Sequence, residues 1–197
     1  PNFITVKDPN RFKIRNDKDE NIKLSDNPQL DFVRKIANSV TEGSAEIQQA
    51  LAKSTTEISY PKTNLGKNLE WIARLIKGNL NSKVYYTSQN GYDTHDNQLA
   101  IHQRNLIELN DAVFSFYTDL KKANLLQNVT LVVFSEFGRR VKDNGNGTDH
   151  GTAAPMFIIG GNNKGTILGS NPNLADLDNG DLKHQIDFRS VYASLLQ

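Results

Sequence analysis

Three polar segments of the sequence hold most of the side chains that could carry out chemistry. The segments are "GYDTHDNQ", "SEFGRR" and "TDHG". Two of them follow predicted strands and the third precedes one. In open α/β sheets, sites gather at the carboxyl ends of the strands. The sequence therefore predicts that these ionisable residues concentrate in one region: Asp93, His95, Asp96, Glu136, Arg139, Arg140, Asp149 and His150.

The segment "DTHD" has the spacing of a metal-binding loop. Asp93 and His95 are two residues apart, so in an extended loop their side chains leave in the same direction. An imidazole with a carboxylate is a mixed ligand set that suits zinc, iron or manganese. The alternative is that an aspartate caps the helix beginning near Gln98 and that His95 is an ordinary loop residue.

The segment "SEFGRR" offers a carboxylate and two guanidinium groups. Glu136 stands at the end of a predicted strand, where it could be a metal ligand or a general base. Arg139 and Arg140 have the forked donors that bind phosphate, sulfate or carboxylate. The alternative is a salt-bridge network on the surface.

The segment "GNGTDHG" places an Asp-His pair among glycines, which allow unusual backbone dihedrals. Adjacent residues of an extended segment face opposite sides, so only one of Asp149 and His150 enters the site and the other supports it. The alternative is a turn with a hydrogen-bonded histidine. His102, on the apolar stripe of a predicted helix, is interpreted as packed or interfacial, and His184 as a loop residue.

The spacing of apolar residues predicts an α/β layered sheet. Helices are expected from Pro28 (capped by Asn27, with an interruption at Gly43 left open), from Leu65 with an end near Gly78 and Leu80 on its apolar stripe, over Leu99–Ala123 and in "DFRSVYASLL". Strands are expected at 84–88, 129–135 and 155–161. The strand at 129–135 is the near-continuous apolar kind that parallel sheets bury on both faces. Residues 1–27 are expected to be short strands or an arm, and residues 162–183 a loop.

Composition excludes several classes of protein. The net charge is +1, which gives no electrostatic reason to expect nucleic acid or an anionic membrane as a partner. No apolar run approaches the roughly 20 residues that cross a bilayer. There is no cysteine, and so no disulfide or thiolate metal site. Motifs of the types GxSxG, GxxxxGK and GxGxxG are absent as well.

The 197 residues are predicted to form a single α/β domain, with an arm and helix over 1–64 and the main layers over 65–197. The chain starts "PNFITV" without an initiator methionine, and it ends within a predicted helix. We therefore expect it to be a piece of a longer protein.

The series "GYDTHDNQ", "TLVVFSEFGRR", "NGTDHGTAAPMFIIGG" and "DFRSVYASLL" resembles an uncharacterised bacterial family of sulfatase-like proteins, whose members often carry twin-arginine export signals. That family is similar to the alkaline phosphatase/sulfatase superfamily. The resemblance implies an alkaline-phosphatase-like fold of which this chain is the C-terminal portion. It also implies a periplasmic or secreted location, and a nucleophile that would precede residue 1.

The resemblance also implies a metal site. His150 matches the superfamily's last histidine ligand, and Asp93 and His95 match its first pair. Where the superfamily has Asp-His, this chain has Glu136-Phe137, so Glu136 can be a ligand but one ligand of a second metal is missing.

Two functions follow from this resemblance. The first is a hydrolase of small anionic phosphate or sulfate esters that uses a divalent metal (zinc, calcium, magnesium or manganese), with Glu136 as ligand or base and Arg139 steadying the transition state. The second is an exported, non-catalytic binding or structural protein. The oligomeric state stays open.

Overall fold

The structure is a computed structural model that describes residues 5–8 and 27–196. The strands or arm expected over 1–27 lie, except for residues 5–8 and 27, outside the described residues.

Helix α1 (Pro28–Lys53) begins where the sequence predicts. The side-chain oxygen of Asn27 accepts hydrogen bonds from the backbone N–H groups of Gln29 at 3.0 Å and Leu30 at 3.3 Å. These bonds satisfy two of the donors that a helix leaves free at its start. Gly43 does not interrupt the helix, which runs for 26 residues.

Helix α2 (Asn64–Lys77) is capped by Thr63, whose hydroxyl accepts from the backbone N–H of Gly66 at 3.1 Å. It ends before Gly78, as predicted. A Cβ atom at Gly78 would lie 2.1 Å from the carbonyl oxygen of Ala50, so only glycine lets the end of α2 contact α1 this closely.

Helix α3 (Gln98–Lys122) packs against α2 and encloses the main apolar core. Its buried residues recur at the three- and four-residue spacing of a helix face, as do those of α2. A smaller cluster lies between α1 and α2. The main cluster consists of Tyr60, Leu65, Leu69, Ala73, Ala112, Phe116 and Leu120, and the smaller one of Ile47, Ala50, Leu51 and Leu75.

A buried ion pair joins α2 to the C-terminal half of α3. Lys77 Nζ lies 2.7 Å from Asp119 Oδ1, and their side chains are 12% and 5% exposed. Asp119 also accepts a hydrogen bond from the Tyr60 hydroxyl at 3.1 Å, and Lys77 donates to the carbonyl oxygen of Thr55 at 2.6 Å. Each buried polar group therefore has a partner, as burial requires.

The second half of the chain contains a short 3₁₀ turn (Leu126–Asn128), six strands and a last helix. The strands are β1 (Thr130–Val133), β2 (Gly138–Asp143), β3 (Thr148–Gly151), β4 (Phe157–Gly160), β5 (Leu177–Asp178) and β6 (Asp181–Leu182), followed by α4 (Phe188–Leu195). Among the described residues they form three antiparallel pairs: β1 with β4, β2 with β3, and β5 with β6.

Over the residues that the structure describes, the architecture is thus mixed α/β, with four helices and small antiparallel sheets. The expectation of a parallel strand at 129–135 is wrong, because β1 runs antiparallel to β4. The expectation of a strand at 84–88 is wrong as well, because residues 83–89 form no strand, although Tyr85, Thr87 and Gln89 are half-buried and their neighbours are exposed. The exposure of these side chains alternates because one side of the segment packs against the helices. In the described part of the chain, the segment has no partner strand.

Two regions contain strands that the sequence did not predict. Arg139 and Arg140 of "SEFGRR" lie within β2, and Asp149 and His150 of "TDHG" lie within β3, so the β2–β3 hairpin joins these two polar segments. The predicted loop over 162–183 contains the β5–β6 hairpin. None of the helices that the structure describes is long and apolar enough to cross a membrane.

Replacing Asp119 with alanine is expected to lower the free energy of unfolding by about 3–5 kcal/mol, because Lys77 would stay buried without its counter-ion. Urea denaturation measures the change. The control is Glu57→Ala, which removes the partner of Lys122 from a pair whose side chains are 60% and 78% exposed. That change should leave the free energy of unfolding nearly unchanged, because solvent screens an exposed pair. If both variants lowered the free energy of unfolding by the same amount, the burial of the Lys77–Asp119 pair would not be the cause of the loss.

Alkaline pH should destabilise the protein in part through Tyr60. Burial, followed by the Asp119 carboxylate, raises the pKa of Tyr60 well above its ordinary value. The folded state therefore holds the phenolic proton more tightly than the unfolded state. The contribution of Tyr60 to the free energy of unfolding is present below about pH 10 and is lost as the pH rises further. Urea midpoints across this range should fall less steeply for Tyr60→Phe than for the unaltered chain. Tyr86→Phe, at a residue 78% exposed, should leave the slope unchanged.

Candidate functional site

Asp93, His95 and His150 come together at the surface of the protein. Each offers one ligand atom, and these three atoms lie within 4.8 Å of one another. His150 Nε2 donates to Asp93 Oδ1 at 2.8 Å, and His95 Nδ1 lies 3.6 Å from the same oxygen. The two imidazole rings have their centroids 5.0 Å apart. The structure thus brings together three of the residues that the sequence singled out.

The loop between residues 90 and 97 presents two of these side chains because alternate residues face opposite ways. Asp93 and His95 have side chains 73% and 50% exposed, whereas Thr94 between them is only 8% exposed. The side chains of this loop therefore alternate in direction, as the sequence predicted, and the Thr94 side chain points inward.

The third member, His150, is held by the β2–β3 hairpin. It pairs across the ladder with Arg139, so both side chains lie on the same face of the hairpin. The ring of Phe137 stacks on the imidazole of His150, with centroids 3.9 Å apart and planes 7° from parallel. This contact restrains the plane of the imidazole, whose Nε2 remains in contact with Asp93.

Arg139 connects the hairpin to the loop. Its Nη1 donates to the carbonyl oxygen of Thr148 at 2.6 Å, and its Nη2 donates to the carbonyl oxygen of Tyr92 and to Thr94 Oγ1, the latter at 3.2 Å. Its Nε is buried without a hydrogen-bond partner. The sequence predicts that Arg139 steadies a transition state, and this stays a prediction; the contacts support a positioning role.

His102, on α3, holds the same loop from the other side. Its Nε2 lies 2.9 Å from Thr94 Oγ1 and 3.3 Å from the carbonyl oxygen of Tyr92. The ring also meets the edge of Tyr92, with centroids 5.6 Å apart. Burial, with a smaller contribution from Glu108, raises the pKa of the Tyr92 phenol, which donates to Gln89 Oε1 at 2.9 Å. His102 is thus packed, as predicted, and it also contacts the site loop.

The first turn of α3 binds the loop of the hairpin. Gln98 Oε1 accepts from the Thr148 backbone N–H at 2.6 Å, and the Gln98 backbone N–H donates to the Asn146 carbonyl at 3.2 Å. Gly147 fits between them, because a Cβ there would lie 3.1 Å from the carbonyl carbon of His95 and 2.9 Å from Gln98 Oε1. Gly147 therefore allows the hairpin loop to approach His95 and Gln98 this closely.

The side chain of Asp181 supports the far end of β3. Its carboxylate is buried, and it accepts from the backbone N–H groups of Thr152 at 2.9 Å and Leu182 at 2.8 Å. A Cβ at Gly151 would meet this carboxylate at 2.6 Å. The β5–β6 hairpin thereby fixes the strand end next to His150.

The other predicted residues lie outside the cluster. Glu136 is exposed on a bend between β1 and β2, and the structure does not place it among the three ligand atoms. Asp149 is exposed beside His150, so one member of that pair enters the cluster, as expected. Arg140 donates to the carbonyl oxygen of Asn179 at 3.3 Å. Asp96 accepts from the backbone N–H of Asn97, and no side chain caps α3.

The donor set of the cluster is of a kind that zinc binds, and two of its separations can be compared with those of a zinc site. Neighbouring ligand atoms of a tetrahedral zinc with bonds of about 2.0–2.1 Å are about 3.3–3.4 Å apart. The 3.6 Å between His95 and Asp93 is close to that value. The 2.8 Å between His150 and Asp93 is a hydrogen bond, so an ion would have to replace the hydrogen on His150 Nε2 and part the two atoms slightly.

The supporting residues Thr94, Gln98 and Arg139 were not predicted in that role. One signal was available for Thr94, since a residue between two outward-facing ligands must face inward. A second was available in α3, because Gln98 and His102 are four residues apart and share one face of the helix. The contacts of Arg139 with Tyr92 and Thr94 join residues 47 and 45 positions apart in sequence, which no local pattern reveals.

The chain belongs to the family described as protein of unknown function (DUF1501), whose model matches residues 17–194. No curated protein and no solved structure matches the chain.

Replacing Gly147 with alanine should disturb the cluster, because the loop at His95 would have to move by a few tenths of an ångström. We expect changed NMR shifts of the ring protons of His95 and His150. The control is Gly145→Ala, whose Cβ meets nothing within 4 Å but whose φ of +109° strains the backbone. Unchanged imidazole shifts in the Gly147 variant would show that the loop does not depend on this close approach.

Proposed function

We propose that this protein is a metal-dependent hydrolase of phosphate or sulfate esters, of the alkaline phosphatase/sulfatase type, with Asp93, His95 and His150 as metal ligands. The observation that carries the proposal is the convergence of these three ligand atoms within 4.8 Å, although they come from segments 57 residues apart. Carboxylates paired with a histidine are common on protein surfaces, whereas two imidazoles that share one carboxylate oxygen are a more specific arrangement.

The composition of the ligand set favours zinc or manganese over calcium or magnesium. Two of the three ligands are nitrogens, whereas calcium and magnesium prefer oxygen ligands. Three protein ligands also leave a coordination position for water or substrate, as in catalytic zinc sites. A divalent ion held here would polarise an ester oxygen and lower the pKa of a bound water.

The residues around the cluster have separate tasks in this proposal. Asp93 would bind the ion through Oδ1, the oxygen that both imidazoles contact. Phe137 restrains the plane of the His150 ring by stacking on it. Thr94 is an unsuitable nucleophile, because its hydroxyl is buried and lies against His102 and Arg139. Glu136, exposed one residue before Phe137, is proposed as an additional ligand or a base.

The resemblance noted in the sequence supports the choice of ester chemistry and a periplasmic or secreted location. The matched positions occur in the same chain order as the superfamily's metal ligands. Exposure of the cluster is compatible with an ionic substrate, since each of the three residues is open to solvent.

A non-catalytic role is the second candidate, and two observations favour it. Phe137 stands where the superfamily has a histidine ligand. Asp93 is also already paired with His150, so the cluster is stable as a hydrogen-bonded group without an ion. On this reading the surface binds a partner and carries out no hydrolysis.

Zinc titration followed by an ester assay separates these candidates. We expect about one zinc ion per chain, and release of the aryl group from a panel of aryl phosphates and aryl sulfates that requires the ion. The variants Asp93→Asn, His95→Ala and His150→Ala should each weaken zinc binding by more than about 100-fold, since even outer partners of metal ligands cost 10–100-fold.

The matched control is His184→Ala, at an exposed histidine outside the cluster, which should leave zinc binding and turnover unchanged. Zinc binding that requires the three residues, without turnover on any ester, would favour the non-catalytic candidate. Absence of both zinc binding and turnover would refute the hydrolase proposal.

A further inference from the structure

We propose that Thr94 is a positioning residue which, held by His102 and Arg139, directs Asp93 and His95 toward His150. The expected consequence for metal affinity rests on the proposed function. The expected consequence for the geometry of the three side chains does not depend on it.

The burial pattern of the loop is the first support for this inference. Thr94 is 8% exposed between two neighbours whose side chains are 73% and 50% exposed. A β-branched side chain fixed on the inner side sets the direction of the residues before and after it. The orientation of both loop ligands therefore depends on where the Thr94 side chain is held.

The hydrogen bonds at Thr94 are the second support. Arg139 Nη2 donates to Thr94 Oγ1 at 3.2 Å, and His102 Nε2 lies 2.9 Å from the same oxygen. His102 Nε2 also faces the carbonyl oxygen of Tyr92, which can only accept. A hydrogen on Nε2 therefore fits both contacts, and a hydroxyl oxygen has two lone pairs with which to accept from both residues.

The third support is that Arg139 contacts both ligand-bearing segments. Its guanidinium binds main-chain oxygens of Tyr92 in the loop and Thr148 in β3, which is two residues before His150. Planar, forked donors hold such an arrangement better than a lysine would. The Thr94 hydroxyl thus joins a helix, a loop and a hairpin at one point.

The test compares Thr94→Val, which removes only the hydroxyl, with Thr94→Ser, which retains it. In the 197-residue chain, Thr94→Val should weaken zinc binding by about 10–100-fold, as loss of a partner behind a metal ligand does, and Thr94→Ser should restore most of the affinity. His102→Phe, which keeps a ring against Tyr92 but removes the nitrogen, should act in the same direction. Because the two residues share one contact, the double variant should lose less than the product of the single losses.

The control is Thr118→Val, the same chemical change in α3 at a hydroxyl that donates to the Phe114 carbonyl oxygen. It should leave zinc affinity unchanged. The second measurement needs no metal: ring ¹⁵N shifts of His150 report the hydrogen on Nε2 that Asp93 accepts. Thr94→Val should move these shifts toward those of a solvated histidine, whereas Thr94→Ser and Thr118→Val should not.

The two measurements keep the inferences separate. If the unaltered chain binds no zinc, the proposed function fails, and the His150 shifts still decide the role of Thr94. If zinc binds through the three ligands but Thr94→Val changes neither its affinity nor the His150 shifts, the positioning role is overturned. Zinc weakening that Thr94→Ser does not rescue also overturns it, because the hydroxyl would not be the cause.

Discussion

The packing of α3 against α2 is the contact on which the rest of the structure depends. The C-terminal half of α3 supplies Ala112, Phe116 and Leu120 to the main core, and the buried pair of Lys77 and Asp119 fixes the two helices at that end. The N-terminal half contributes little to the core and instead binds the site loops. A helix of 25 residues is about 37 Å long, so it carries the rigidity of the core to a distant surface.

The contacts at the N-terminal half of α3 are polar and specific. Gln98 binds the hairpin loop, His102 binds Thr94, and Asn105 donates to the Gly91 carbonyl at 2.7 Å. These three residues lie at three- and four-residue intervals and so occupy one face of the helix. Residues at this spacing enter the apolar core in the C-terminal half of α3, and in the N-terminal half they contact the site loop. A shift of α3 along its axis would displace both ligand-bearing segments together.

The sequence predicted the helices well because their signals are local. Asn27 caps α1 and Gly78 stands at the end of α2, as predicted, and apolar spacing defines each buried face. The sequence also predicted that Asp93, His95 and His150 lie in one region, and the structure brings them together, while their role as metal ligands stays a prediction. Strand pairing was not predictable in the same way: whether β1 runs parallel or antiparallel to β4 depends on contacts about 30 residues apart.

The site's supporting residues could be predicted only in part for the same reason. Arg139 has the composition of an anion-binding residue, and only the fold reveals that its donors are used on main-chain oxygens of Thr148 and Tyr92. Glu136 follows a strand, as expected, but the bend that carries it leaves it exposed. Residue type indicates the chemistry that a side chain can do, whereas its partners determine which part of that chemistry remains available.

The hydrogen bond between Asp93 and His150 closes a loop of chain that contains the whole of α3 and the β1 strand. In small zinc domains the ion itself closes such a loop, so those domains unfold when the metal is removed. Here the helical core and the Arg139 contacts already meet the entropy cost of closure. If the proposed ion binds there, the fold would therefore not depend on it, and its removal would leave the surrounding chain folded.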